Sequence, residues 1–251
     1  MHATSVLLGV GTLTGLLLVC WRAPQKELSA YLDAGFWVLV GALIGSRAGS
    51  VLVNFAYYQA NPGEVFQVWE GGLSGIGALV GGAVAIFVVA RWKKIPTATL
   101  ADVLFPLAGT LMVTAWLGCW ISSCAYGLPS EAWWALPASD ELGGIANRIP
   151  VQLVGAALTL VFLFLLELAG KHFPVPGSNA LTGLLLLSAE ILALSFLRAD
   201  PTPTWLGLRL EAWGAAAVLM AGTLGGVVLL VRGRHRDVHS TAKSMHHKGE
   251  T

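Results

Sequence analysis

The sequence predicts an all-α integral membrane protein of about seven transmembrane helices, with its N-terminus outside and its C-terminus in the cytoplasm. Three observations predict this class. Hydrophobic residues make up 55% of the chain and charged residues only 12%, whereas a soluble domain carries roughly 25% charged residues. Apolar runs long enough to cross a bilayer recur along the chain. The basic residues are concentrated in alternate connections between these runs.

Seven apolar runs are each predicted to form one transmembrane helix, because a segment inside a bilayer must satisfy its backbone hydrogen bonds internally. They cover residues 5–21, 35–53, 71–90, 98–121, 151–170, 178–197 and 212–231. No basic residue precedes the first run, whereas a signal peptide needs one, so we expect this run to be retained. The chain then divides into a single polytopic membrane domain, residues 1–231, and a flexible basic cytoplasmic tail, residues 232–251.

The distribution of Lys and Arg predicts the orientation. With the N-terminus outside, 11 of the 15 basic residues lie in cytoplasmic segments. The other four are Arg47, Arg148, Arg198 and Arg209. The opposite orientation would invert this asymmetry, and cytoplasmic loops of membrane proteins are the ones enriched in Lys and Arg.

Three outer connections differ from the short basic turns on the cytoplasmic side, and they are where we expect a site. They cover residues 54–70, 122–150 and 198–211, which contain Pro, Gly, Trp and acidic residues. The first mixes Tyr57, Tyr58 and Phe66 with polar residues. That mixture fits an interfacial helix or loop, and it also fits a simple aromatic belt at the headgroup level.

Ionisable residues at membrane depth are costly, so each is a candidate for function. Arg47 and Glu190 are predicted to lie at similar depths in the second and sixth runs, where they could form a pair. Two interpretations stay open for Arg47: a structural pair, or a site for an anionic lipid headgroup, whose phosphate oxygens a guanidinium binds in a bidentate manner. Arg148 and Arg198 are expected at the outer interface, where lipid phosphates are abundant.

Several classes of function are disfavoured. No His lies at the outer ends of the second to seventh runs, so a His general base is not expected there. Cys20, Cys119 and Cys124 lack zinc-site spacing and are interpreted mainly as core residues, with a Cys119–Cys124 disulfide left open. We expect no metal, no cofactor and no nucleic-acid partner. A transporter is the weakest hypothesis, because no pair of Gly/Pro-broken helices occurs in matching halves.

Four stretches, in order, resemble motifs of the prolipoprotein diacylglyceryl transferases of bacterial inner membranes. They are Gly45-Ser46-Arg47 with Trp69-Glu70-Gly71-Gly72-Leu73-Ser74, Leu117-Gly118-Cys119-Trp120 with Cys124-Ala125-Tyr126-Gly127, Arg148-Ile149-Pro150-Val151-Gln152-Leu153, and Phe196-Leu197-Arg198-Ala199-Asp200. The resemblance implies the same seven-helix topology and a location in the bacterial inner membrane. It implies transfer of a diacylglyceryl group from phosphatidylglycerol to the lipobox cysteine of a preprolipoprotein, at the outer leaflet and without a cofactor.

On this resemblance we expect Arg47, Arg148, Gln152 and Arg198 to bind the phospholipid, and Glu70 and Glu190 to act as catalytic residues that handle the proton. The sequence departs from the family at other positions. The family has His at the positions of Ile76 and Ile149. It has Arg at the positions of Trp116 and Ile191, and Glu at the position of Ser195. Loss of a base and of cationic groups removes transition-state stabilisation. The second hypothesis is therefore a catalytically degenerate homologue that serves as a lipid-binding or structural subunit, with other membrane subunits as partners.

Overall fold

The computed structural model describes residues 2–68, 71–170 and 175–227. Seven helices in this part of the chain are long and apolar enough to cross a membrane, which confirms the predicted all-α integral membrane class. The helices, including the short α3, are α1 (His2–Arg22), α2 (Leu28–Val53), α3 (Phe55–Ala60), α4 (Gly75–Lys93), α5 (Thr97–Ser122), α6 (Val151–Ala169), α7 (Ser178–Ser195) and α8 (Leu210–Val227).

The observed bounds correct one prediction clearly. Helix α2 begins at Leu28, directly after a 3₁₀ turn at Gln25–Glu27, and not near residue 35. The helix α2 includes the charged residue Asp33. Because the Asp33 carboxylate forms an ion pair with Lys93 at the end of α4, this charge does not end α2. The predicted tail, residues 232–251, and the last four residues of the seventh predicted run lie outside the described part of the chain.

The helices alternate in direction, so the connections fall at two ends of the bundle. Of the described residues, 54–68, 71–74, 123–150 and 196–209 lie at the long-loop end, and 23–27, 94–96 and 175–177 lie at the short-turn end. Two antiparallel hairpins lie at the long-loop end. They pair β1 (Leu136–Ser139) with β2 (Ile145–Arg148) and β3 (Thr204–Trp205) with β4 (Leu208–Arg209).

Glycines allow α2 and α4 to pack with their backbones in contact. A Cβ atom added to Gly45 would collide with the backbone of Gly77 and Gly81, and one added to Gly81 would collide with Gly41 and Gly45. This is the small-xxx-small spacing expected of close helix pairs in membranes. Ser74 directly precedes α4 and caps it, because its hydroxyl oxygen accepts the N–H of Gly77 at 3.1 Å.

Helix α5 forms the centre of the bundle and is the most extensively buried of the spanning helices. Its residues pack against α1, α6 and α7. At the short-turn end, Arg22 of α1 donates to the backbone oxygen of Asp102 in α5 and forms an ion pair with Glu167 of α6. The Asp102 carboxylate accepts the backbone N–H groups of Gly177 and Ala180, and so caps the start of α7.

The turn after α5 is closed by a disulfide between Cys119 and Cys124, the bond that the sequence left open. Its backbone is tight, because Ser123 and Ala125 both adopt positive φ, at 58° and 53°. The predicted interfacial segment is helical in part, as α3 and as a 3₁₀ turn at Pro62–Phe66.

Candidate lipid-handling site

A short ladder at the long-loop end brings two of the predicted site arginines near one another. The backbone of Gly127–Pro129 pairs with Arg198 on one side and with Arg148 on the other. The supporting bonds run from Leu128 N–H to Leu197 O at 2.9 Å and from Ile149 N–H to Leu128 O at 3.0 Å. Arg148, which precedes α6, and Arg198, which follows α7, are far apart in the sequence and are thereby fixed at the same edge of the bundle.

Arg148 is buried on one side of this ladder. Its guanidinium carbon lies 4.7 Å from the centre of the Tyr126 ring, and its Nη2 lies 3.2 Å from a carboxylate oxygen of Asp140. Gln152, in the first turn of α6, donates from Nε2 to the Cys124 carbonyl at 2.9 Å. The disulfide turn and the two predicted ligands Arg148 and Gln152 thus form one packed unit.

Tyr126 contacts Arg148 through the face of its aromatic ring, and it does not act as a base. Burial raises the pKa of its phenol, the charges of Glu141 and Asp140 raise it further, and the nearby Arg148 lowers it in part. Because the pKa lies above its ordinary value of 10.0, the phenol is neutral at physiological pH. A neutral ring against a guanidinium is a cation–π contact.

Arg198 lies in the connection between α7 and α8 and is held by two acids. It donates from Nε and Nη2 to the Asp200 carboxylate at 2.9 and 2.7 Å, and from Nη1 to Glu211 at 2.6 Å. Arg209 also contacts Asp200, at 2.8 Å. Burial lowers the pKa of Arg198, but the hydrogen bonds to Asp200 and the charge of Glu211 outweigh that effect and raise it. Arg198 is therefore a permanently charged group in a balanced cluster of two cations and two anions.

Arg47 has a different environment from the other arginines, because it is enclosed by the loop that follows α3. Its five N–H groups are directed at backbone carbonyls, those of Val65 at 2.8 Å, Gly71 at 2.7 Å, Gly72 at 3.0 Å, Gln67 at 3.3 Å and Glu64. Its guanidinium also lies 5.0 Å from the Tyr58 ring centre. A guanidinium has five N–H donors, so this arrangement uses all of them.

Glu190 is buried in the middle of three helices. Its carboxylate accepts the indole N–H of Trp116 in α5 at 2.8 Å and the hydroxyl of Thr159 in α6 at 2.9 Å. The pairing of Glu190 with Arg47 that the sequence suggested is wrong, because each group is bonded to these other partners. Glu190 has no cationic partner among the residues that the structure describes.

The remaining predicted catalytic residue, Glu70, lies outside the described residues, as does Trp69. Within the described ranges, no group of three or more His, Cys, Asp or Glu side chains could hold a metal ion.

Sequence reasoning did not assign a role to several groups that complete this end of the protein. They are Trp116, Thr159, Asp140, Glu211, Arg209 and Tyr126. Two of them carried a signal, because Trp116 stands where the resembling family has an arginine and Tyr126 lies in one of the resembling stretches. The others depend on contacts between segments that are distant in the sequence.

Comparison with known proteins connects this geometry to a family. A sequence model of the prolipoprotein diacylglyceryl transferases matches residues 1–230. The chain is 30% identical over 219 residues to a phosphatidylglycerol–prolipoprotein diacylglyceryl transferase of Nitratidesulfovibrio vulgaris, covering 86% of this chain and 79% of that protein.

Two further relatives bear the same name. One from Streptomyces coelicolor, the transferase numbered 2, is 29% identical over 245 residues, covering 94% of this chain and 76% of that protein. One from Geobacter sulfurreducens is 37% identical over 138 residues, covering 55% of this chain and 52% of that protein. The similarity extends over nearly all of the membrane-spanning region.

Proposed function

The chain belongs to the prolipoprotein diacylglyceryl transferase family, and on that basis we propose that it transfers a diacylglyceryl group from phosphatidylglycerol to a prolipoprotein cysteine. In this reaction a C–S bond forms and the C–O bond to the phosphate breaks. The electron pair leaves with the glycerol phosphate, and the thiol proton needs an acceptor. A protein that does this needs cations at the phosphate and an acid–base group near the thiol.

The observation that carries the proposal is the ladder that places Arg148 and Arg198 on either side of Gly127–Pro129. Two guanidinium groups at one edge can bind phosphate oxygens and stabilise the charge of the leaving group. Arg198 binds the phosphate by exchanging its Nη1 partner, the half-buried Glu211 carboxylate, for a phosphate oxygen. Gln152 supports this arrangement through its bond to Cys124.

Arg47 contributes to the phospholipid site in this proposal by holding the Gly71–Gly72 segment and by its positive charge. Glu190 accepts the thiol proton, because it is a buried acid whose partners are neutral donors and not a competing cation. Glu70 shares that task from the segment that joins the loop to α4.

A second candidate function has its own support. Ile76 and Trp116 are apolar or neutral where the family that the sequence resembles has His and Arg, and Ile76 is packed against Gly214 of α8. A side chain without a titratable group cannot activate a thiol. This observation favours a relative that binds the phospholipid without transferring it, as a subunit of a larger membrane complex.

We propose further that the protein lies in the bacterial plasma membrane with its long-loop end facing outside and residues 232–251 in the cytoplasm. Support comes from the excess of Lys and Arg in the segments assigned to the cytoplasm, 11 of 15. Reporter fusions test the orientation: a cytoplasm-active fluorescent protein joined after Thr251 should fluoresce, and alkaline phosphatase joined there should be inactive.

Complementation tests the function. The chain is expressed in a bacterium depleted of its own transferase, and a reporter lipoprotein is analysed by mass spectrometry for diacylglyceryl modification. We expect modification with the wild-type chain, loss with Arg198→Gln or Arg148→Gln, and no change with Arg91→Gln at the short-turn end. Absence of modification by chain that is present in the membrane would overturn the transfer proposal. In that case, one phosphatidylglycerol retained per purified chain, and lost with Arg198→Gln, would support the binding subunit.

A further inference from the structure

A disulfide joins the last turn of α5 to the turn that follows this helix. Cys119 lies within α5, and Cys124 lies two residues after its end. Neither sulfur takes part in the proposed transfer reaction, so the bond needs a separate explanation. Its place in the fold supplies one, because the turn that it closes continues directly into the ladder segment Gly127–Pro129.

The two sulfurs of this bond have different surroundings. Cys119 packs against a buried apolar cluster that includes Val113 and Trp116. Cys124 is partly exposed, and its Sγ lies 3.3 Å from Oγ of Ser122, which is an exposed residue. Because exchange requires a thiolate to reach a disulfide sulfur, access decides which sulfur is attacked. The structure therefore favours attack at Cys124, with Cys119 as the sulfur that leaves.

The backbone beside the disulfide has an unfavourable conformation. Ser123 and Ala125 adopt φ of 58° and 53°, a region that residues with a Cβ atom rarely occupy. Such conformations persist only where the surrounding structure fixes them. Ser123 lies between the two cysteines and Ala125 directly follows the second, so the disulfide is one of the bonds that fix this turn. Opening the bond removes a covalent constraint from a strained segment.

The noncovalent contacts of the turn depend on the same geometry. The hydroxyl oxygens of Ser123 and Ser139 lie 2.5 Å apart and join the turn to β1. The carbonyl of Cys124 accepts the side-chain N–H of Gln152 at 2.9 Å and joins the turn to α6. Both contacts involve residues that the disulfide holds in place, so we expect them to weaken together when the bond opens.

A displacement of the turn reaches the arginine ladder through the chain itself. Only two residues separate Cys124 from Gly127, whose backbone pairs with Arg198. The intervening Tyr126 accepts the backbone N–H of Ala199 at 2.8 Å. The hydrogen bonds that position the start of the α7–α8 connection are therefore made by residues that directly follow the disulfide.

We propose that the Cys119–Cys124 bond is a site of reversible thiol–disulfide exchange with a dithiol reductant, and that the closed bond holds the arginine ladder in place. A thiolate of the reductant forms an S–S bond with Cys124, while Cys119 leaves as a thiolate and takes up a proton. The second thiol of the reductant then displaces Cys124. The reductant becomes a disulfide, and the chain gains two electrons and two protons.

The state of this bond then controls whether the site is assembled. Disulfides form in oxidising compartments, so a chain whose long-loop end has not reached one carries the site arginines on a loosened ladder. The effect on the backbone does not rest on the proposed function. The effect on transfer does, and we expect transfer to be supported by the closed bond and reduced several-fold when the bond is open.

Reduction of the native protein tests the proposal directly. The purified full-length chain in mild detergent is treated with dithiothreitol, and one portion is reoxidised with oxidised glutathione. Thiol alkylation and amide hydrogen exchange are measured by mass spectrometry. We expect dithiothreitol to expose Cys119 and Cys124 to alkylation without denaturant. Exchange in residues 124–129 and 196–199 should become several-fold faster, and reoxidation should restore it. Residues 97–105, at the short-turn end of α5, should not respond.

Matched variants give the control. The double variant Cys119→Ser with Cys124→Ser should exchange at the rate of the reduced protein, with or without dithiothreitol. Cys20→Ser, which removes the free cysteine, should keep the response of the wild-type chain. The proposal is overturned if the two bonded cysteines are alkylated only in denaturant, if reduction leaves exchange in residues 124–129 unchanged, or if the double variant still responds to dithiothreitol.

The outcome is separable from that of the proposed function. In the complementation experiment, we expect the double variant to modify the reporter lipoprotein several-fold less than Cys20→Ser does. If no chain modifies the reporter but exchange follows the state of the disulfide, the exchange site stands and the transfer reaction fails. If the double variant, present in the membrane in equal amount, modifies the reporter as well as the wild-type chain does, transfer stands and control by the disulfide fails.

Discussion

The indole of Trp116 donates to the buried carboxylate of Glu190 across 2.8 Å, and thereby joins α5 to α7 through a polar contact in an apolar interior. Thr159 of α6 completes the group. A buried carboxylate without such donors is strongly destabilising. The contact therefore explains how an acidic residue is retained at membrane depth without an arginine beside it.

We expect Trp116→Phe to lower stability by about 1–3 kcal/mol, because it keeps an aromatic side chain but removes the indole N–H and leaves Glu190 one donor short. Glu190→Gln should lower stability by less, because its amide oxygen still accepts the hydrogen bonds from Trp116 and Thr159. Thermal unfolding of the purified protein in one detergent measures the effect. Combining the two substitutions should cause less loss than the sum of the single effects. Strict additivity would show that the contact contributes nothing.

Arg47 is expected to stabilise the loop after α3 more than any other single side chain. Arg47→Lys supplies at most three donors in place of five, so we expect a loss of about 3 kcal/mol or more, since hydrogen bonds of charged groups are the stronger ones. Faster amide hydrogen exchange in residues 61–68 is the direct readout. Arg91→Lys, at an exposed position against Phe87, is the control. Unchanged exchange in Arg47→Lys would contradict a positioning role.

The contrast between Arg47 and the spanning helices shows what the sequence determines. Length and hydropathy give the depth of a residue in the bilayer, so the spans and the level of Arg47 were predictable. The partner of Arg47 was not, because the chain turns back at Gly71 and Gly72, which adopt positive φ of 97° and 65°. The direction in which a side chain points around its helix depends on how the helices pack.

The same reasoning applies to Glu190 and Arg198. No pattern in the sequence indicated that Thr159, 31 residues from Glu190, would be its partner. For Arg198, the adjacent Asp200 was visible in the Phe-Leu-Arg-x-Asp stretch, and the two are bonded. The backbone pairing of Arg198 with Gly127 was not predictable from the sequence. An isolated bridge between distant segments has no alternation of apolar and polar residues that would indicate a strand.

The Cys119–Cys124 disulfide predicts how many of the three cysteines react with a thiol reagent. Under denaturing conditions without reductant, a maleimide should modify only Cys20, and after reduction it should modify all three cysteines. Replacing Cys119 and Cys124 together with Ser should lower stability by about 2 kcal/mol, because the closed loop is short. Amide exchange should rise in residues 123–129, whose turn supports Gln152. Cys20→Ser is the control, and three reactive thiols before reduction would contradict the bond.

Asp102 is expected to act on stability alone, at the end of the bundle opposite the arginine cluster. Its carboxylate accepts the N–H groups of Gly177 and Ala180 at 2.6 and 2.8 Å, so Asp102→Ala should destabilise the protein by about 1–2 kcal/mol, as loss of a helix cap does. Asp33→Ala, which removes a more exposed ion pair with Lys93, should change stability by less than about 1 kcal/mol. Thermal unfolding compares the two variants. Modification of the reporter lipoprotein should be unchanged in both, and a loss in Asp102→Ala at a temperature where the protein is folded would show that the two ends of the bundle are coupled.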